Sequence, residues 1–400
     1  MKVLVMGYGV SGKAAESFLK AQGCDVTVVD RNAEGALSDR PDFPLGCFDQ
    51  VVLSPGIAPT HPLVQKAQEM GIEVIGEIEL GFRNLKNRSF GITGANGKTT
   101  TVLMTTHILN SSGKKAKALG NVGEPLTKYL LRADPEEILV IELSSFQLET
   151  LKSKQLEVGL VLNITPNHLD RYRSMQEYVE AKALIARCLK ERGELFISSQ
   201  VHEEFGSFFQ GAKNFEVDLL NDFGYMQLEM ASKQSAQAAY LLCKRCGVTD
   251  VEFLEGLKTF KKPPHRIEWV AEIDGVSYHN DSKASNIHSV IHAVRQFEGP
   301  IVLIIGGLHK GSSYRPWIEC FEGKVRKIIA YGQAAPIMEY ELAPLFDFQL
   351  VGQFADAVRC AKTEAKKGET VLLSPGCSSY DQFKNYEQRG EEFKRLVREL

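Results

Sequence analysis

Short apolar runs alternate along the whole chain with longer stretches in which apolar residues recur at helical spacing. The first pattern suits buried parallel strands and the second suits amphipathic helices, so the alternation predicts an α/β fold with largely parallel sheets. Strands are expected over residues 2–6, 25–30, 51–53 and 72–75, then 89–93, 138–143 and 158–164. A last set is expected over 267–272, 301–305, 327–331 and 370–373. Helices are expected from the first glycine turn to about residue 22, and over 99–112, 175–190 and 386–400. The polar run Arg83-Asn84-Leu85-Lys86-Asn87-Arg88 reads as a linker, and Pro263-Pro264 break the helical pattern after Phe260. These breaks divide the chain into three modules, 1–87, 88–262 and 263–400.

Composition narrows the picture. Four hundred residues are enough for three cores, and 44% hydrophobic with 24% charged residues is the balance of a globular chain. A net charge of -3 argues against a nucleic-acid partner, which calls for a basic excess. No apolar run approaches a membrane span, and the N-terminal run turns into a glycine loop too early for a signal peptide. Eight cysteines are scattered; the close pair Cys243 and Cys246 lies in a helical pattern and reads as core filling. Reduced thiols and a cytoplasmic location are the expectation.

Two glycine loops carry the first chemistry. Gly7-Tyr8-Gly9-Val10-Ser11-Gly12 follows a strand, opens a helix, and has Asp30 at the end of the next strand. That is a diphosphate-binding turn, suited to a dinucleotide or to a UDP-sugar. Gly91-Ile92-Thr93-Gly94-Ala95-Asn96-Gly97-Lys98-Thr99-Thr100 lacks the first glycine of the usual phosphate loop but keeps its physics. Backbone N–H groups and a helix N-terminus would converge on one spot, Lys98 would add a mobile cation, and the Thr99 hydroxyl suits Mg²⁺. The alternative is an ordinary strand-to-helix turn.

Further motifs follow strand ends. Glu142, in Glu142-Leu143-Ser144-Ser145-Phe146-Gln147-Leu148-Glu149, is placed to hold Mg²⁺ or to cap a helix. His168, in Asn167-His168-Leu169-Asp170-Arg171-Tyr172, is a metal ligand or a structural histidine. Lys283, in Asn280-Asp281-Ser282-Lys283-Ala284-Ser285-Asn286, suits a substrate carboxylate at a helix start. Gly306-Gly307-Leu308-His309-Lys310-Gly311 reads as a turn, and Ser374-Pro375-Gly376-Cys377-Ser378-Ser379-Tyr380-Asp381 as a hydroxyl-rich loop.

Taken in order, "GYGVSG", "SPGI", "GANGKTT", "ELSSFQLE", "NHLDRY", "PHRIE", "NDSKASN" and "SPGCSSYDQFKNYEQRG" resemble the Mur ligase family over nearly the whole chain. "SSFQLE" and the last string resemble the members that add D-glutamate to UDP-N-acetylmuramoyl-L-alanine. The resemblance implies three domains: an N-terminal Rossmann-like domain for the UDP-substrate, a central P-loop ATPase-like domain, and a C-terminal Rossmann-like domain for the amino acid. It implies a monomeric, ATP- and Mg²⁺-dependent ligase of peptidoglycan synthesis, acting on small molecules through an acyl phosphate. Gly9, Val10, Ser11, Asp30 and Arg31 would meet the uridine diphosphate, and Asn121 and His168 would lie near the UDP-sugar substrate. Gly94, Ala95, Asn96, Gly97, Lys98, Thr99 and Thr100 would hold ATP, together with Arg266 and Asp281. Thr99, Glu142, His168 and a carbamylated Lys182 would surround Mg²⁺, and Lys98, Glu142, His168 and Lys182 would be catalytic. Lys283, Ser285, Ser379 and Tyr386 would take D-glutamate. Where the family carries a His-Asn pair upstream of "PHR", this chain reads Ala231-Ser232-Lys233-Gln234, and Ser285 and Tyr386 replace the usual Thr and Phe. The competing readings are a ligase for another amino acid, an NAD-dependent dehydrogenase built on the first glycine loop, or a non-catalytic nucleotide-binding regulator.

Overall fold

The computed structural model describes residues 1–31, 33–167, 171–215 and 230–399, with the backbone alone at 230–232. They form two compact units: residues 1–164 with 176–260, and residues 165–175 with 261–400.

The first unit carries two sheets. One contains β1 (Lys2–Met6), β2 (Asp25–Val29), β3 (Gln50–Leu53) and β4 (Glu73–Gly76), ordered β2-β1-β3-β4 and parallel throughout. The other contains β5 (Ser89–Thr93), β6 (Ala116–Gly120), β7 (Ile138–Glu142), β8 (Leu156–Val161), β9 (Leu189–Ile197) and β10 (Lys213–Asn214). Its order is β10-β9-β8-β5-β7-β6, again parallel. The second unit holds β11 (Glu268–Ile273), β12 (Val276–Asn280), β13 (Ile301–Gly306), β14 (Val325–Tyr331), β15 (Asp347–Leu350) and β16 (Thr370–Gly376). They run β11-β12-β16-β13-β14-β15, with only β11 antiparallel to its neighbour.

Helices cover both faces of these sheets, so the central strands are buried on both sides, as the continuous apolar runs required. In each sheet the strand order reverses at one strand, namely β1, β5 and β13. A crevice opens at the carboxyl end of such a strand, because its two neighbours send their connections to opposite faces. The loops at 7–12, 94–97 and 306–311 all leave these three strands.

One expectation needs correction, and two features were not anticipated. The helix read over 175–190 ends at Ala183, passes into a 3-10 turn at Leu184–Cys188, and gives way to β9 at Leu189. Pairing of β9 with β8 supplies ladder hydrogen bonds that the charged run at 190–194 concealed. The polar linker is anchored: Asn87 is buried and donates to the carbonyls of Asp134 and Glu137 at 2.7 and 2.9 Å. Strands β6, β9, β10, β12 and β15 were not anticipated, being short, charged or edge elements whose pairing is set by neighbours distant in sequence.

Two buried carboxylates on the helix Glu77–Arg83 fasten this helix to the β5–β10 sheet region. Glu77 Oε1 accepts from the Thr127 N–H at 2.8 Å and its hydroxyl at 2.6 Å. Glu79 accepts from the N–H groups of Lys152 and Ser153, the Ser153 hydroxyl and Arg83 Nε, all at 2.8–2.9 Å. Burial pushes the Glu77 carboxyl above its ordinary range, against the two Thr127 hydrogen bonds. For Glu79 burial acts in the same direction, but its donors and Arg83 outweigh it and the carboxyl is held low.

A group with a raised folded-state pKa contributes stability that is full below the ordinary carboxylate range and is lost as pH rises through the raised value. Glu77→Gln keeps an acceptor oxygen for Thr127 and removes that titration. We expect it to melt at or above the parent temperature at pH 8, with a flatter pH profile. Glu77→Ala should lose about 1–3 kcal/mol by orphaning the Thr127 donors. Calorimetry across pH checks this; equal losses for Gln and Ala would contradict it.

Candidate active site

In the first unit, β5 ends at Thr93 and the helix Lys98–Ser111 begins four residues after Gly94. The chain makes this turn through Gly94 (φ 151°) and Gly97 (φ 81°), backbone conformations that side chains disfavour. A Cβ on Gly94 would also press on Leu162 Cβ at 3.1 Å. The loop is held from β8's continuation. The Ala95 N–H donates to the Asn163 carbonyl and the Asn96 N–H to Asn163 Oδ1, both at 2.8 Å. Asn163 Nδ2 in turn donates to the Asn96 carbonyl at 3.2 Å and to Gln234 Oε1 at 2.8 Å. Gln234, in the Ala231-Ser232-Lys233-Gln234 segment, therefore supports the loop through Asn163.

Glu142 is buried at the end of β7, next to β5. Its two oxygens accept from Thr99 Oγ1 and from Asn121 Nδ2, each at 2.8 Å. The expected residues Thr99, Glu142 and Asn121 are thus brought together, a hydroxyl, a carboxylate and an amide from three elements. The "SSFQ" string has a local explanation: Ser144 and Gln147 form a capping box on the helix Ser145–Thr150. Arg187 closes the other end by donating to the carbonyls of Leu148, Glu149 and Leu151.

Lys98 folds back so that Nζ donates to the Gly94 and Ala95 carbonyls at 2.8 and 3.1 Å. Lys182, only 2% exposed, donates to the same Gly94 carbonyl at 2.9 Å. Burial, and then repulsion from Lys98, hold the Lys182 amine well below its usual basicity, with Glu142 pulling the other way. His168 lies outside the described residues. Among the described residues no group of three or more His, Cys, Asp or Glu side chains forms a metal cluster.

The first glycine loop is equally well built. Gly7 has φ 87°, and its carbonyl accepts from Ser54 Oγ at 2.8 Å. Gly9 caps the helix Val10–Ala21, and Val10 at its start is 74% exposed. Asp30 accepts from the N–H groups of Tyr8 at 2.7 Å and Ala33 at 2.9 Å, so its carboxylate shapes the loop. Arg31 is exposed and pairs with Asp39 at 3.7 Å.

In the second unit, three loops at the carboxyl ends of β12, β13 and β16 come together. Lys283 Nζ stands 3.7 Å from the centre of the Tyr386 ring. Lys310 Nζ donates to the Ser285 carbonyl at 3.1 Å, and Ser379 is buried. Asp281 accepts from Ser374 Oγ at 2.9 Å and the Ile267 N–H at 3.3 Å. Its burial raises the carboxyl to about 7, against Ser374 and Arg266, which favour the charged form. Arg266 lies between His265 and Ile267, two residues with left-handed backbone at φ 64° and 51°.

Sequence reasoning passed over Arg389 and Lys310. Arg389 is fully buried on the helix Tyr386–Arg398, donating to the carbonyls of Ser282 and Cys377 and to the hydroxyls of Ser282 and Tyr331. The signal was a charge at position i of an apolar face completed by Phe393, Leu396 and Val397. Lys310 had a weaker signal, a lone cation in a glycine turn after a strand.

Comparison with known proteins bears on the whole length. The Mur ligase middle domain matches residues 92–238, and the Mur ligase glutamate ligase domain matches residues 265–377. A UDP-N-acetylmuramoylalanine--D-glutamate ligase from Protochlamydia amoebophila is 44% identical over 439 aligned positions, covering 100% of this chain and 98% of the relative. The crystal structure of a UDP-N-acetylmuramate-alanine ligase, MurC, from Thermotoga maritima superposes with a TM-score of 0.64 at 16% identity, covering 100% and 99% of the two chains. A MurF ligase from Thermotoga maritima, solved in complex with ADP, superposes with a TM-score of 0.59 at 16% identity, covering 100% and 95%. At such identities the structures speak for the fold, and that fold is the three-domain one of these ligases. Likeness that passes through both matched domains and along the entire length of a 44%-identical relative identifies the chain as a member of the Mur ligase family.

Proposed function

We propose that this chain is the ATP-dependent ligase that adds D-glutamate to UDP-N-acetylmuramoyl-L-alanine in peptidoglycan precursor synthesis. The observation that carries the reading is the full-length likeness to the Protochlamydia amoebophila ligase of that name. The reading includes a monomer working in the cytoplasm in support of wall growth and division, with domains at 1–87, 88–262 and 263–400.

A carboxylate is a poor electrophile. In the proposed reaction its oxygen attacks the γ-phosphorus of ATP, ADP leaves, and an acyl phosphate forms. The D-glutamate nitrogen then attacks the acyl carbon, loses its proton, and expels phosphate. Positioning and charge neutralisation supply most of the rate in such transfers. The N–H groups of residues 94–100 would cradle the phosphates, with Lys98 swinging from its loop carbonyls to the γ-phosphate. Arg266 and Asp281 are assigned to the nucleotide as well. Gly9, Val10, Ser11, Asp30 and Arg31 are assigned to the uridine diphosphate, and Asn121 and His168 to the sugar-peptide side.

The Thr99 hydroxyl and Glu142 carboxylate form a hard oxygen pair within hydrogen-bond distance of each other, which fits Mg²⁺. Thr99, Glu142, His168 and a carbamylated Lys182 would hold that ion, which would neutralise phosphate charge. The carbamate is supported by the buried, weakly basic Lys182 amine: a neutral amine adds to carbon dioxide with loss of a proton. Conversion would also replace repulsion between Lys182 and Lys98 by attraction. Lys283, Ser285, Ser379 and Tyr386 are assigned to D-glutamate, and the position of Lys310 beside Ser285 adds a second cation for a substrate with two carboxylates.

Phosphate release measured with ATP, UDP-N-acetylmuramoyl-L-alanine and a panel of amino acids tests the reading. D-glutamate alone should stimulate it; stimulation by a different amino acid would replace the assignment. Lys98→Ala should remain folded and lose at least about a hundredfold in turnover, as expected when a transition-state charge partner is removed. Near-normal turnover would move ATP elsewhere. Lys283→Ala should raise the KM for D-glutamate far more than that for ATP, by the equivalent of about 2–5 kcal/mol for a desolvated charge contact. The reverse pattern would put this loop on the nucleotide. Lys182→Ala should be nearly inactive and partly restored by formate or acetate, each able to place a carboxylate in the vacated space. Full activity without a small acid would remove Lys182 from the mechanism.

A further inference from the structure

The turn at 306–311 and the loop at 376–379 are joined at their backbones: the Leu308 N–H donates to the Ser378 carbonyl at 2.8 Å, in an isolated antiparallel bridge. Gly307 has φ 125°, and any side chain there would collide with that Ser378 carbonyl. A second link runs through side chains. The Tyr314 hydroxyl lies 2.8 Å from His309 Nδ1 and 3.1 Å from Cys377 Sγ. His309 immediately precedes Lys310, and Cys377 lies two residues before Ser379. Tyr314 is itself fixed, 2% exposed, with its N–H on Glu341 at 2.6 Å and its ring 4.9 Å from that of Trp317.

We propose that Tyr314 is a positioning residue of the amino-acid pocket, its hydroxyl bridging His309 and Cys377 and so fixing the Lys310 turn against the Ser379 loop. This rests on reading Lys283, Ser285, Lys310 and Ser379 as the D-glutamate pocket. Packing alone needs the Tyr314 ring and no hydroxyl, yet the hydroxyl meets a partner from each of the two loops. Burial raises both the Cys377 thiol, to about 11, and the Tyr314 phenol. The Tyr314–Cys377 contact is therefore a hydrogen bond between neutral groups. Arg389 makes the companion link, joining the Cys377 carbonyl to the Ser282 carbonyl of the third loop.

Tyr314→Phe keeps the ring and removes the bridge. The expected result is a KM for D-glutamate raised about five- to tenfold, the scale of one lost hydrogen bond, with kcat and both other KM values unchanged. His309→Ala, at a half-buried loop position that folding should tolerate, is expected to give the same selective rise. The double variant should be no worse than either single one, because the two changes cut one link. Cys377→Ser, which retains a hydrogen-bonding group, should have a lower D-glutamate KM than Cys377→Ala. Lys283→Ala and Lys310→Ala serve as reporters of the pocket. If they raise the D-glutamate KM while Tyr314→Phe and His309→Ala leave it unchanged, the positioning role is overturned and the pocket stands. If none of the four moves it, the pocket assignment fails and this inference with it.

Discussion

The geometry of the central site depends on one buried carboxylate. Glu142 ends a strand whose neighbour delivers the glycine loop at 94–97, and its two oxygens are taken by Thr99 from that loop's helix and Asn121 from the turn after β6. A buried charge is tolerated only with strong hydrogen bonds, so fold stability and site geometry make the same demand here. Thr99 is oriented because Glu142 needs a donor.

Buried cations show the same economy with different outcomes. Arg389 is satisfied by carbonyls and hydroxyls from two loops and the end of β14 and serves as a structural hub. Lys182 has one close carbonyl, which it shares with Lys98, and its amine is pushed toward neutrality. An arginine in that place would remain a cation, whereas a lysine can surrender its proton and become a nucleophile. Residue type at these two positions thus separates a multiply hydrogen-bonded brace from an amine of lowered basicity.

The two units use one architectural device three times. The strand order of each sheet reverses at β1, β5 or β13, and the loop leaving that strand carries glycines in left-handed conformations at Gly7, Gly94 and Gly97, and Gly307. Side chains then lock the loop: Asp30 and Ser54 in the first sheet and Asn163 in the second, all just past adjacent strand ends, and Tyr314 with Cys377 in the third. The glycines permit the turn, and the neighbours fix it.

Much of this was legible in the chain. Apolar periodicity located the buried central strands, since a strand covered on both faces is apolar whatever lies around it, and glycine spacing marked the loops at Gly9 and Gly94. Edge strands β6 and β15 and the charged β9 were hidden, because their pairing energy comes from partners far away in sequence. Nothing in the sequence marked Glu77, Glu79 and Asn87 as buried, and only their donors and acceptors in the tertiary structure account for their burial. Lys182 gave no local sign of its state either: a lysine on an amphipathic helix is ordinarily solvated, and its proton affinity is decided by what packs around it. Which turns need glycine, and where the buried strands end, are local steric facts already written in the chain. The tertiary structure alone decided which polar groups meet and which charges are buried, because desolvation and hydrogen-bond partnership depend on the neighbours that folding brings together.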